Sequence, residues 1–153
     1  MWLPDPDLRR STLGLVTGEK NLIANLANIS AVIYHTWPDL NWAGFYLWDE
    51  ADQELVLGPF QGKPACLRIK SGRGVCGTAF KTLTTQRIDD VHAFPGHIAC
   101  DAASRSELVI PIMKEDKCLG VLDLDSPKVG RFSLDEASLL ENLMAELVPK
   151  LWK

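Results

Sequence analysis

Long apolar runs are missing from this 153-residue sequence: none approaches the 18 or so residues that would span a bilayer, so no membrane partner is expected. Basic clusters are missing too, and a net charge of −4 argues against nucleic acid as the main partner. The opening residues, Met1-Trp2-Leu3-Pro4-Asp5-Pro6-Asp7, lack the basic and apolar regions of a secretory signal, which makes a cytoplasmic location the expectation. Cysteine is sparse. Four thiols in a non-secreted chain of this size do not make a disulfide scaffold and are more often buried, catalytic, redox-sensing or metal-bound. No Cys-x-x-Cys pair, no His-x-x-x-His on a predicted helix, no Walker-type Lys-Ser/Thr after a glycine loop, no internal repeat and no low-complexity tract occurs.

What is present is a mixed-charge, moderately apolar chain whose length fits one domain, residues 1–153, with enough core to fold unaided. Residues 1–18 carry Pro4, Pro6 and Gly14 and are expected to form a loose or partly helical lead-in. Over residues 19–36, Leu22, Leu26, Ile29 and Ile33 follow helical spacing, and Trp37-Pro38-Asp39 ends that helix. Residues 42–48 alternate as a strand, with Trp42, Gly44, Tyr46 and Trp48 on one face and Ala43, Phe45 and Leu47 on the other. Residues 54–57 are the expected return strand. The pattern predicts a hairpin of residues 108–113 and 118–125, with Leu119, Val121, Asp123 and Asp125 on one side and Cys118, Gly120, Leu122 and Leu124 on the other. Ser133-Leu134-Asp135-Glu136 is a capping box that opens a helix over residues 133–148.

The residue types that carry chemistry gather between Gly58 and Ser126. Cys66 precedes Arg68 and Lys70 on a predicted short strand, and two nearby cations favour a thiolate. Ser71-Gly72-Arg73-Gly74 turns into a predicted helix over residues 75–83. Cys76 sits in its first turn, where backbone N–H groups favour anions, and the glycine-rich turn before it can cradle a phosphate or a carboxylate. Cys100 follows the Pro95-Gly96 turn and lies between His97 and Asp101, poor surroundings for a core cysteine. Asp123 and Asp125 break the apolar patterning of their strand, and Glu107 opens the partner strand on a side that depends on the turn register; gathered together the three would attract a cationic group and leave at least one carboxyl with a raised pKa. Trp42 and Tyr46, flanking Gly44, could wall a shallow pocket. Cys66, Cys76, His92, His97 and Cys100 are suitable zinc ligands by type, but their spacing argues against a metal site. Cys118, without polar company, is expected to be structural.

Four runs resemble the free methionine-(R)-sulfoxide reductases, which are stand-alone GAF-domain enzymes. They are Gly58-Pro59-Phe60-Gln61-Gly62-Lys63-Pro64-Ala65-Cys66, Gly72-Arg73-Gly74-Val75-Cys76-Gly77, Asp90-Val91-His92 through Gly96-His97-Ile98-Ala99-Cys100-Asp101, and Gly120-Val121-Leu122-Asp123-Leu124-Asp125-Ser126. The resemblance implies an α+β GAF fold, an antiparallel sheet flanked by N- and C-terminal helices, usually as a homodimer. It makes Cys100 the attacking thiol, Cys66 the resolving thiol and Cys76 a secondary partner. Glu107 and Asp125 would hold and protonate the sulfoxide oxygen, Asp123 would anchor the substrate amine, and Trp42 and Tyr46 would receive the methyl group. It implies thioredoxin as reductant and neither cofactor nor metal. The rival reading is a non-catalytic GAF sensor of a small regulator. A sensor would be expected to come with an output domain and would not require cysteines at positions 66, 76 and 100.

Overall fold

The computed structural model describes residues 6–97 and 102–153. Along the chain run α1 (Pro6–Val16), α2 (Leu22–Thr36), β1 (Trp42–Asp49), β2 (Glu54–Gly62), β3 (Arg68–Lys70), α3 (Gly74–Thr82), β4 (Gln86–Ile88), a 3-10 turn (Val91–Ala93), β5 (Ser106–Lys114), β6 (Lys117–Ser126) and α4 (Leu134–Leu151). The strands form one antiparallel sheet in the order β3-β2-β1-β6-β5-β4. The first and last long helices lie on one face and α3 on the other.

The lead-in contains more helix than its breakers imply. Pro6 occupies the first helical position of α1, where an N–H has no intrahelical use. Leu8 and Val16 reach the core, and Thr12 Oγ1 donates to Leu8 O at 2.7 Å. That packing outweighs the roughly 1 kcal/mol that Gly14 costs inside a helix. In α2, Asn21 caps the start by accepting from the Ala24 N–H, which sets the first turn at Leu22 rather than at residue 19. The Ser133–Glu136 capping box is formed at α4. That helix continues past residue 148 through Pro149, because Leu151 is buried and the Trp152 N–H bonds to Val148 O.

Alternation along the strands produces two cores. Ala43, Phe45, Leu108, Ile110, Ile112, Leu122 and Leu124 face α1, α2 and α4. Trp42, Tyr46, Val109 and Val121 face α3, where they meet Ile69, Val75, Cys76 and Ala79. The two faces expected for residues 42–48 are therefore the faces observed.

Three local expectations need correction. β2 does not stop at residue 57 but runs through Gly58-Pro59 to Gly62. An irregularity in its pairing with β1, between Gly44 and Tyr46, accommodates a residue without an N–H. In the β5–β6 hairpin, Ile112 pairs with Gly120 and Met113 with Cys118, so Leu119 is an extra, bulged residue. Leu119 consequently packs with the helix-covered face, and Cys118 joins Trp48 and Phe80 along a groove on the α3 side, the reverse of their predicted sides. Gly120 holds this bulge at φ +154°, and a Cβ there would sit 2.3 Å from Tyr46 O. Finally, the short strand spans only Arg68–Lys70, so Cys66 and the exposed Leu67 lie before it.

Candidate active site

A cleft opens on the α3 face of the sheet. β1 contributes Trp42 and Tyr46, β5 contributes Glu107, β6 contributes Asp123 and Asp125, and the start of α3 contributes Gly74, Val75 and Cys76. Residues 63–65, Arg73, His97 and Ser104 complete the lining. Register brings the acids together: Glu107 lies directly opposite Asp125, and Val109 opposite Asp123. The cluster expected from patterning is thus assembled by a pairing that spacing alone left open.

The aromatic wall is tied down at both ends. The rings of Trp42 and Tyr46 stack at 5.9 Å, and Phe60 stacks on the far side of Trp42 at 5.1 Å. Gly44 leaves the room Phe60 needs, since a Cβ there would lie 2.2 Å from Phe60 Cβ. Trp42 Nε1 donates to Lys63 O at 3.1 Å and the Tyr46 hydroxyl donates to Cys66 O at 2.8 Å. Two hydrogen bonds from one strand therefore hold the segment that carries Cys66 against the cleft. Cys66 packs on the α3-side core and is disulfide-bonded, whereas Cys76 and Cys118 carry free thiols. Cys100 lies outside the described residues.

Electrostatics divide the site. Glu107 and Asp123 are nearly fully buried. Burial first, then the charges of Asp123 and Asp125, push the Glu107 carboxyl well above the ordinary glutamate range. Burial also raises Asp123, while its contacts with Glu107 and Cys76 act the other way. A carboxyl kept protonated near neutral pH can donate to a developing oxyanion or hydroxyl.

Cys76 departs from expectation. It does occupy the first turn of α3, but burial and the surrounding Asp123, Glu107 and Asp125 raise its pKa well above the ordinary thiol value. A helix terminus acts through partial charges, and three nearby carboxyl groups with full desolvation outweigh it. Its sulfur stands 3.9 Å from Glu107 Oε2. The cation environment proposed for Cys66 is also altered, because Arg68 pairs with Asp49 at 2.7 Å and Asp52 at 3.3 Å.

Several lining residues carry no catalytic or substrate-binding role in the sequence reading. His97 Nε2 stands 3.9 Å from Glu107 Oε1, and burial, with the charge of His92, lowers its pKa, so it faces Glu107 as a neutral imidazole. Lys63 and Arg73 put positive charge on the cleft wall, and Arg73 makes no side-chain cap to α3, whose first-turn residues Gly74, Val75 and Cys76 line the same cleft. Their signal in the sequence was only proximity to the glycines. Among the described residues, the metal-ligand types gathered are Cys76, Glu107 and Asp123, with donor atoms all within 4.8 Å of one another.

The GAF domain family matches residues 22–148. Protein YtsP of Bacillus subtilis is 60% identical over 80% of this chain and 76% of its own length. Free methionine-R-sulfoxide reductase of Escherichia coli is 54% identical over 92% of this chain and 84% of its own. The chain belongs to the free methionine-R-sulfoxide reductase family of GAF-domain proteins. An X-ray structure of that reductase from Neisseria meningitidis, in complex with its substrate, superposes with a TM-score of 0.90 at 43% identity, covering 94% of this chain and 85% of the other.

Proposed function

We propose that the protein reduces free methionine-(R)-sulfoxide to methionine. The Cys100 thiolate attacks the sulfoxide sulfur while Glu107, assisted by Asp125, protonates the oxygen. Methionine departs and Cys100 is left as a sulfenic acid; the Cys66 thiol condenses with it, forming a disulfide and releasing water. A thioredoxin-type dithiol then reduces the disulfide by exchange, with Cys76 as a secondary partner in the relay and the enzyme acting as a homodimer.

The observation that carries this reading is the buried Glu107, its carboxyl pKa raised, beside the Trp42–Tyr46 wall, in a cleft that Tyr46 also ties to Cys66. The charge layout supports a free amino acid. Asp123 and Asp125 suit an ammonium group, while Arg73, Lys63 and the first-turn N–H groups of α3 suit a carboxylate. A residue within a peptide has neither charge. Further support comes from the oxidised state of Cys66 beside free thiols at Cys76 and Cys118.

Thiol titration of the reduced protein, before and after adding free methionine-(R)-sulfoxide, tests the proposal. The expected result is loss of two thiols per chain with one methionine formed; loss of none, with ligand bound, identifies a sensor instead. Cys100→Ser should form no methionine, and Cys66→Ser should form about one per chain and then stall. Full multiple turnover in either variant would reassign that thiol.

A further inference from the structure

The same cleft holds a donor set that redox chemistry does not require to be so arranged. Cys76 Sγ, a Glu107 carboxylate oxygen and an Asp123 carboxylate oxygen all lie within 4.8 Å of one another, and each residue is nearly fully buried. They come from three separate elements, α3, β5 and β6, so the convergence is tertiary and not a by-product of one strand's alternation. Among the described residues, none gives the buried Asp123 Oδ1 a hydrogen bond, an uncommon state for a carboxylate oxygen that a ligand would relieve. The cleft itself provides the route in, since all three residues line it.

From this geometry we propose that Cys76, Glu107 and Asp123 form a binding site for a thiophilic divalent cation such as Zn2+, with the fourth position open to the cleft. Tetrahedral zinc, with bonds of about 2.3 Å to sulfur and about 2.0 Å to oxygen, holds those two atoms about 3.5 Å apart. The Cys76 Sγ to Glu107 Oε2 separation of 3.9 Å is therefore within a small side-chain adjustment of ligation. One sulfur with two carboxylate oxygens excludes the hard cations, which take six or more oxygen ligands, and fits zinc or cobalt. The open position is the arrangement of sites that also admit water or a ligand donor. Occupancy would take the proton from the Cys76 thiol and withdraw Glu107 from proton donation, so the cation would act as a reversible inhibitor of the proposed reductase.

The test uses the protein with the Cys66 disulfide intact, in which Cys76 and Cys118 are the free thiols among the described residues. Co2+ is titrated in without reductant and followed in the near ultraviolet. The expected result is a sulfur-to-cobalt charge-transfer band that saturates at one equivalent and is displaced by Zn2+. The band should be absent in Cys76→Ala and kept in Cys118→Ala. Asp123→Asn should bind roughly 100-fold more weakly or worse, because a ligand is lost rather than its support. A silent wild-type titration, a band that survives Cys76→Ala, or unchanged affinity in Asp123→Asn would each overturn the site. The readout does not involve turnover, so a failed cation site and a failed reductase assignment are separate results.

Discussion

On one face of the sheet, Phe45, Leu108, Leu122 and Leu124 meet α1, α2 and α4 through apolar atoms; one residue along the same strands, Tyr46, Glu107, Asp123 and Asp125 face α3 and an open cleft. The faces share a backbone and differ in what they bury. The helix-covered face buries hydrocarbon, which stabilises without direction, at about 25 cal/mol per Å² of apolar area. The α3 face buries two carboxyl groups and a thiol, which oppose folding once ionised. Two-residue periodicity keeps these functions on opposite sides of a sheet, so a core that stabilises can support a site that does not.

Substitutions on each face should separate stability from chemistry. Leu140→Ala, on α4 deep in the helix-covered core, should cost about 2–5 kcal/mol in urea unfolding. Turnover per folded molecule should barely change; a proportionate fall would mean that the two faces are not independent. Glu107→Gln should do the opposite, slowing methionine formation by roughly 100-fold, equivalent to about 2.7 kcal/mol in barrier. Wild-type rates in that variant would move the proton-donor role elsewhere.

The same variant carries a pH signature. Glu107 has a folded-state pKa above its ordinary value of 4.5, so between the two the folded state binds more protons than the unfolded. Its contribution is fully present below the ordinary value and is lost as pH rises through the raised one. Thermal unfolding from about pH 5 to about pH 9 should show wild-type stability declining more steeply than that of Glu107→Gln. Parallel curves would place the proton elsewhere. The smallest effect concerns the tether between wall and thiol. Tyr46→Phe removes the hydrogen bond to Cys66 O and should cost about 1 kcal/mol, with slower disulfide closure after the first turnover. An unchanged closure rate would detach the tether from the chemistry.

Much of the frame was legible residue by residue. Leu26, Ile29 and Ile33 announce α2 by their spacing, Ser133 and Glu136 announce the start of α4, and Trp42 through Leu47 alternate as their burial does. α1 was obscured because Pro6 and Gly14 are local signals, while Leu8 and Val16 earn their helix only by reaching a distant core. Leu119 and Cys118 were assigned to the wrong sides because strict alternation cannot register a bulge. Within the site, the departures from pattern at Asp123 and Asp125 marked two residues that line one cleft with Glu107. Cys76 was misjudged because a first-turn position says nothing about which carboxyl groups lie opposite.

By themselves the residues determined which segments could become helix or strand, which side of each strand would be apolar, and where acids and thiols interrupt that order; these are properties of spacing and side-chain type. Tertiary structure alone decided that Glu107 stands across from Asp125, that Cys76 points into carboxyl groups and that His97 faces Glu107. The reason is that proton affinity depends on burial and on charges a few ångströms away, and those distances exist only once strands remote in the chain have paired.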